Sequence, residues 1–355
     1  MPAGGFLGRI TGLALASWWR LHVVALRLFA YIAFAASVLR RRGDYVEERW
    51  NGERRLEGAA RIAVFVHYDR AGIVHDYVLY YLRQLRIAGF ELVFVSNAPS
   101  LTADSLAELQ TLCALMVRRR NVGYDFGAFR DGLALLGPLE EREGLEELLL
   151  ANDSVYGPFH DLATLLRRAD AGRASVWGIT DSWQFGYHLQ SYFLLFKRQA
   201  LLSPAFAQFW RQVRYVQSKT WVVLRYEVGL SRALIRGGLR CAALFPYRQA
   251  ATGVSEAVRH GGALAAPGLG RRHHAYLSML FDAVDRGEPL NGSHYFWDYL
   301  IAEMGCPFLK RELLHKNPAR VPFVHCWDSV IEASSSYDSD LILRHLEASM
   351  KNHCA

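Results

Sequence analysis

Cysteine is scarce and scattered. The five residues Cys113, Cys241, Cys306, Cys326 and Cys354 are odd in number, far apart and never in a C-x-x-C pair. This excludes a disulfide framework and a thiolate zinc site, and it fits a reducing compartment. Glycine-rich phosphate signatures are also missing. The loop after the first apolar strand pattern reads His67-Tyr68-Asp69-Arg70-Ala71-Gly72, not G-x-G-x-x-G, and no G-x-x-x-x-G-K-[ST] occurs. A dinucleotide dehydrogenase and a P-loop ATPase are therefore disfavoured. In the apolar N-terminal stretch, residues 10–39, the longest uncharged pieces are Ile10–Trp19 and Leu28–Leu39. Both fall short of the ~20 residues of a spanning helix. No small-x-small cleavage site follows a short apolar core, which argues against a signal peptide. No internal repeat is visible. No DNA- or RNA-binding module surrounds the short basic runs Arg40–Arg42, Arg118–Arg120 and Arg271–Arg272, so nucleic acid is not the expected partner.

What is present describes a folded protein. Hydrophobic residues make up 52% and charged residues 21% of 355, enough for a packed core in one large domain or two. A net charge of +7 favours an acidic partner, here an anionic membrane surface or a phosphate-bearing substrate. Arg20 and Arg27 lie seven apart, on one helical face, with Trp18, Trp19 and Tyr31 suited to headgroup level. Residues 1–44 are therefore expected to form an apolar helix lying on a membrane, the plainer alternative being a helix packed on the domain itself. The polar residues 45–59 read as a linker.

Beyond the linker, continuous apolar runs alternate with helical spacing. Strands are expected at 61–67, 91–96, 115–118 and 145–151, and helices at 76–88, 101–112 (Thr102 as N-cap) and 125–136. This order predicts an α/β fold with a mostly parallel sheet flanked by helices. Ligands of such sheets lie beyond the carboxyl ends of the strands. Four loops converge there: His67–Gly72, Ser96–Pro99, Arg120–Gly127 and Asn152–Gly157. Farther on, strands are expected at 176–180, 190–196 and 239–245, and helices at 204–216 and 227–235. A mobile loop is expected at 248–275, and a mixed α/β C-terminal part follows, with its last ordered pieces at 307–314 and 321–326.

Several residues carry chemistry in this arrangement. Arg118–Arg120 run into a turn punctuated by Gly123 and Gly127, ahead of a helix N-terminus, which suits a phosphate or a sugar hydroxyl. The plainer reading is a tight turn with a solvated charged rim. Asp125 and Asp131 flank Arg130. Asn152-Asp153-Ser154 ends a buried strand; Asp153 is either a turn cap or a hard-oxygen ligand for Mg²⁺ or Mn²⁺, and its position in the crevice favours the metal. Asp181–His188 sets Trp183, Phe185, Tyr187 and His188 beside polar groups, as a sugar platform or an amphipathic rim. Glu227, near a helix start, reads as a general base for an acceptor hydroxyl or as a helix-stabilising acid. His315 and His325 are candidates to complete a metal site, though lone histidines are more often structural.

The segments N-V-G-Y-D-F-G-A-F-R-D-G-L, L-L-L-A-N-D-S-V-Y-G-P-F, D-S-W-Q-F-G-Y-H-L-Q-S-Y-F-L-L-F, E-V-G-L-S-R-A-L, N-G-S-H-Y-F-W-D-Y-L-I and P-F-L-K-R-E-L-L occur in this order over roughly residues 60 to 320. Together they resemble the rhamnan synthesis protein F family of bacterial polysaccharide enzymes. The resemblance implies a GT-A-like, Rossmann-type glycosyltransferase with a nucleotide-sugar donor, dTDP-rhamnose favoured. The acceptor would be a lipid-linked glycan or polysaccharide, at the cytoplasmic face of the inner membrane and beside other polysaccharide-assembly enzymes. Residues 60–250 would then bind the donor and 251–355 form an acceptor-side extension. His67, Tyr68, Asp69, Asn97, Asn121, Gly123, Tyr124, Asp125, Gly127, Arg130 and Asn152 would line the donor site, Asp153 would hold the divalent cation, and Glu227 or Asp181 would serve as base. Residues 121–132 are also similar to the N-x-G-x-x-x-A-x-N-x-G region of family 2 glycosyltransferases, with Arg130 or Asp131 where that pattern has its second Asn. The competing readings are a non-catalytic glycan-binding or assembly protein on such a scaffold, and a phosphotransferase on an open α/β sheet.

Overall fold

A computed structural model describes residues 25–26, 28–39, 45–259, 270–286 and 288–354. Residues 28–39 are helical (α1). The first half then runs β1 (Val46–Asn51), β2 (Arg61–His67), α2 (Asp76–Ile87), β3 (Glu91–Ser96), α3 (Ala103–Leu112), β4 (Leu115–Arg119), α4 (Tyr124–Leu135), β5 (Glu147–Asn152) and β6 (Val155–Tyr156). The second half continues with α5 (Leu162–Leu166), β7 (Val176–Ser182), β8 (His188–Leu189), β9 (Phe193–Lys197), α6 (Arg198–Leu201) and α7 (Pro204–Gln212). A continuous rod follows: α8 (Lys219–Trp221), a π-helical segment (Val222–Glu227) and α9 (Val228–Arg236). The chain ends with β10 (Cys241–Phe245), α10 (Tyr247–Arg259), α11 (Gly270–Asp285), α12 (Gly292–Tyr295), α13 (Trp297–Ala302), β11 (Leu309–Lys310), α14 (Arg311–His315), α15 (Trp327–Ser334) and α16 (Asp340–Cys354).

The main sheet has the order β1-β4-β3-β2-β5-β9-β7-β10. Strands β4, β3, β2 and β5 are mutually parallel, and β7 and β10 pair in parallel, while β1 and β9 run antiparallel to their neighbours. The expected α/β class with a mostly parallel, helix-flanked sheet is what forms. Its cause is visible in β2, whose residues 62–67 are all buried, as a strand covered on both faces requires. Alternate side chains serve opposite cores. Ala63 and Phe65 pack with Leu82, Leu109, Leu165 and Ile331. Ile62, Val64 and Val66 pack with Phe126, Phe129, Trp210 and Leu234. Thr102 caps α3 by accepting the Ser105 amide, as expected.

Three expectations are corrected. The stretch read as a linker, 45–59, contains edge strand β1, which pairs with β4. Its glutamates, though exposed, are paired with arginines: Glu47 with Arg118 and Arg120, and Glu48 with Arg118. The mobile loop expected from 248 onward is helix α10 as far as Arg259 and helix α11 from Gly270, with 260–269 outside the described residues. Helix α10 buries Tyr247, Ala250 and Val254, a stripe at helical spacing within an alanine- and glycine-rich composition. Helices α15 and α16 extend the ordered chain past the last pieces foreseen.

The expected apolar N-terminal helix falls on residues outside the described ones up to 24. The described part, α1, stacks Phe34 on Trp221 at 4.3 Å and sets Tyr31 edge-on to the same ring at 5.5 Å. Ala30 and Ser37 are buried, while Leu28, Phe29, Ile32 and Leu39 are exposed. Among the described residues no helix is long and apolar enough to cross a membrane.

Candidate active site

The carboxyl ends of β2, β3, β4 and β5 lie side by side, since His67 pairs with Ser96, Ser96 with Arg118 and Val66 with Asn152. The loops that follow are stitched together from there. The Asn97 amide donates to the His67 carbonyl (2.8 Å), and the Asp153 amide to that of Val66 (3.1 Å). Buried His67 shares a hydrogen bond with Ser96 Oγ (3.3 Å), and burial lowers its basicity despite Asp153 and Asp69 nearby. Asp69 staples its own loop, accepting the amides of Ala71 (2.8 Å) and Ile73 (3.1 Å) and facing His75 Nε2 at 3.5 Å. Burial opposes its ionisation, but His75 and these amides outweigh it and hold the carboxyl well below its usual range. Tyr68 is exposed on the rim, and its amide donates to Asp153 Oδ2 (3.3 Å).

The three adjacent arginines have two different fates, and each is already bonded within the chain. Arg118 and Arg120 are bound by the glutamates of β1. Arg119 is fully buried; its Nε donates to Asp131 (2.6 Å), its Nη2 to the Val122 carbonyl (2.8 Å) and its Nη1 to Asn97 Oδ1. Arg130 donates to the Val213 carbonyl (2.8 Å) and lies over the Tyr215 ring at 5.0 Å. Gly123, at φ 82°, starts α4 against Tyr215, where an added Cβ would come within 2.9 Å of that residue's Cα. Gln217 clamps this turn, accepting the Gly123 amide (3.0 Å) and donating to the Asn121 carbonyl (2.9 Å). At Gly127 a Cβ would meet the Val122 carbonyl at 2.5 Å. Tyr124 is exposed with φ 53°. The turn read as a phosphate cradle is thus a rigid frame, and the side chain it aims into the crevice is Asp125.

Around Asp125 the structure gathers acids and bases from distant parts of the chain. Its carboxylate accepts Asn152 Nδ2 (2.9 Å), while Asn152 Oδ1 is held by Ser154 Oγ (2.6 Å) and the Ser154 amide (3.1 Å). Burial first, then the neighbouring charges of Asp153 and Glu227, raise Asp125 to about 6; Lys310 and Asn152 work the other way. Asp153 Oδ2 accepts Arg311 Nη1 (2.9 Å), which also donates to the Asp153 carbonyl (2.7 Å). Glu227 Oε1 accepts the amide (2.8 Å) and the hydroxyl (3.0 Å) of Ser191. Lys310 Nζ sits 4.0 Å from the Tyr192 ring centroid. Burial lowers Lys310 to about 8, against the pull of Glu227, Glu312 and Asp125.

Lys310 and Arg311 were not singled out in sequence. They arrive through a two-residue ribbon in which β11 pairs with β6 (Lys310 opposite Val155), and the Arg311 amide donates to the Ser154 carbonyl (3.0 Å). The one available signal was the P-F-L-K-R-E-L-L segment. Glu227 lies immediately before α9, near a helix start as expected, and is also the last residue of the π-helical segment inside a longer rod. π-Helical insertions of this kind are frequent at functional sites.

Asp181 stands apart from this cluster in its bonding. At the end of β7 it accepts the Tyr247 amide that opens α10, and burial raises its carboxyl. Nearby, Trp183 meets Tyr187 edge-on at 5.3 Å, and exposed Phe185 adopts φ 61°. His315 and His325 are not brought together around an ion: Tyr156 hydroxyl bonds His315 Nε2 (2.9 Å) and His345 Nδ1 (2.8 Å), and His325 faces Phe323. Among the described residues no group of three or more His, Cys, Asp or Glu is arranged to hold a metal ion.

Comparison with known proteins agrees with the motifs. The chain is 27% identical over 288 residues to the virulence protein VirA of Vibrio anguillarum, covering 81% of this chain and 90% of that protein. Among solved structures, the mannosyltransferase PcManGT from Pyrobaculum calidifontis, in complex with GDP-Man and Mn²⁺, aligns with TM-score 0.30 and 11% identity, over 69% of this chain and 73% of that one. The glycosyltransferase GlyE of Streptococcus pneumoniae TIGR4 aligns with TM-score 0.36 and 12% identity, over 82% and 64%. Likeness at that level fixes neither substrate nor mechanism. The family model of rhamnan synthesis protein F matches residues 92–258, the span from β3 to α10.

Proposed function

We propose that this protein is a glycosyltransferase that moves a sugar from a nucleotide-diphospho-sugar to a growing cell-surface glycan. The family match supports a sugar-transfer role. The observation that carries the reading is the crevice beyond β2–β5, where Asp125, held near 6, meets Asp153, Glu227, Lys310 and Arg311. The family name favours rhamnose, with dTDP-rhamnose as donor. The proposed domain arrangement keeps 60–250 for the donor and 251–355 for the acceptor side, with the latter lending Lys310 and Arg311 to the donor crevice.

Asp125 and Asn152 would orient the sugar, and Lys310 and Arg311 would face the negative charge that develops as the diphosphate leaves. Glu227, positioned by Ser191, would accept the proton of the attacking acceptor hydroxyl; Asp181 is the second candidate, tied to α10. Asp153 would hold Mg²⁺ or Mn²⁺, which when bound would neutralise the diphosphate. The site of action would be the cytoplasmic face of the inner membrane, on a lipid-linked or polysaccharide acceptor and beside other assembly enzymes. A non-catalytic glycan-binding role is less well supported, because binding alone has no need of buried carboxylates, a lysine and an arginine converging on one crevice. A phosphotransferase reading lacks a P-loop.

Thermal unfolding of the purified chain with dTDP-, UDP- and GDP-sugars tests the donor. One class is expected to raise Tm by a few degrees, as ligand binding to the folded state requires. Asp125→Asn should remove that stabilisation and abolish transfer while the chain stays folded. Because the Asp125 carboxyl is raised, its ionisation opposes folding as pH climbs from about 4 to about 6. The Asn variant should therefore have a higher Tm than the parent at pH 8 and a nearly equal one at pH 4. Full transfer activity in Asp125→Asn, or no nucleotide-sugar that shifts Tm, would overturn the reading.

A further inference from the structure

Under α1 lies a groove that sugar transfer does not use. Its volume is about 540 Å³, and it is walled by Phe34 of α1, Trp221, Arg214, Arg225, Arg232 and Arg236. A smaller cavity of about 250 Å³ adjoins it, sharing Trp221, Arg225 and Arg232 and reaching Tyr31. Among the described residues no carboxylate lines either cavity. Among the described residues none of the four arginines is in an ion pair, in contrast to Arg118, Arg119, Arg120 and Arg311. Arg225 is preset, donating to Tyr31 hydroxyl (2.7 Å) with its guanidinium 5.4 Å from the Trp221 ring centroid. Four guanidinium groups gathered without an acid repel one another unless an anion joins them. Guanidinium forks match phosphate oxygens. Beside the groove, α1 turns Leu28, Phe29, Ile32 and Leu39 outward, a surface that prefers hydrocarbon to water. A headgroup phosphate and an acyl chain match these two surfaces side by side.

We propose that this groove and the outer face of α1 form a docking site for anionic phospholipid at a membrane surface. The proposal rests on the transferase reading only for its biological sense, because lipid binding is measurable without transfer. Juxtamembrane arginines each contribute enough affinity for anionic lipid that losing two should weaken binding roughly 30-fold.

The test is co-sedimentation of the full chain with vesicles of phosphatidylcholine alone and with phosphatidylglycerol added. Binding should require phosphatidylglycerol, fall with salt and drop by that factor in the double variant Arg232→Gln/Arg236→Gln. Ile32→Glu should weaken binding through the apolar half of the site. Both variants should keep the parental Tm and the parental stabilisation by nucleotide-sugar, which separates failure here from failure of the transferase reading. Equal binding to both vesicle types, or parental binding by the double variant, would refute the proposal. If farnesyl phosphate raises Tm in the parent but not in the double variant, while vesicle binding is the same in both, the groove belongs to an acceptor phosphate and the membrane assignment falls.

Discussion

Two basic regions of this molecule invite the same reading and behave in opposite ways. Arg118–Arg120 form the densest run of positive charge near the crevice, yet β1 neutralises two of them and Asp131 and Asn97 hold the third. Lys310 and Arg311 are two residues of the short P-F-L-K-R-E-L-L segment, yet they stand among Asp125, Asp153 and Glu227. A run of like charge in sequence records only where charge enters the fold. Whether it is available to a ligand depends on acids that arrive from elsewhere, here from an edge strand some 70 residues earlier. The turn arginines build the frame, while Lys310 and Arg311 stand among the carboxylates of the crevice.

That contrast can be broken by substitution. The largest effect is expected at Arg119, whose removal leaves Asp131 buried and uncompensated. Arg119→Met should destabilise the chain by about 3–5 kcal/mol in urea unfolding; a loss under about 1 kcal/mol would mean that the buried pair does not hold the turn. Lys310→Arg comes next and should leave stability close to the parent. With Asp125 ionised above about 6 and Lys310 protonated below about 8, transfer should peak between those limits. The arginine variant should move the alkaline limb up by more than one unit and leave the acid limb in place. An unmoved alkaline limb would remove Lys310 from the reaction. The smallest effect is expected at Arg118. Arg118→Gln breaks a partly solvated pair, so Tm should fall by no more than about 2 °C and donor-induced stabilisation should be unchanged. A lost donor response there would return the turn arginines to the binding site.

Much of the sheet was legible because β2, β3 and β5 are continuous apolar runs separated by helical spacing, a pattern with one common solution. Strand β1 was not legible, because only Val46 and Trp50 of its six residues are shielded even in part, and its pairing depends on β4 seventy residues on. Helix α10 was hidden by alanine and glycine, and its N-terminal anchor, Asp181, lies 66 residues upstream. In the site, Asp125 facing Asn152 could be inferred, since Asp125 opens α4 just after β4 and Asn152 ends β5, both at the carboxyl edge of one parallel sheet. Lys310 and Arg311 could not, because the contact of Arg311 with Asp153 spans 158 residues and both residues hang on a two-residue ribbon.

The π-helical turn, Val222–Glu227, closes with the Val228 amide on the Val223 carbonyl, so it holds more chain than a regular turn. Each residue of an α-helix advances the side chains by about 100°. The rod's count of residues therefore sets the angle between Trp221 and Arg225, which face α1, and Glu227, which faces Ser191. Among descendants of this chain, side chains along the rod could change one at a time with local consequences. A one-residue gap would swing everything on one side of it by more than a quarter turn, taking the candidate base out of line with the helix that α1 rests upon. Selection at this place should act on length before it acts on composition.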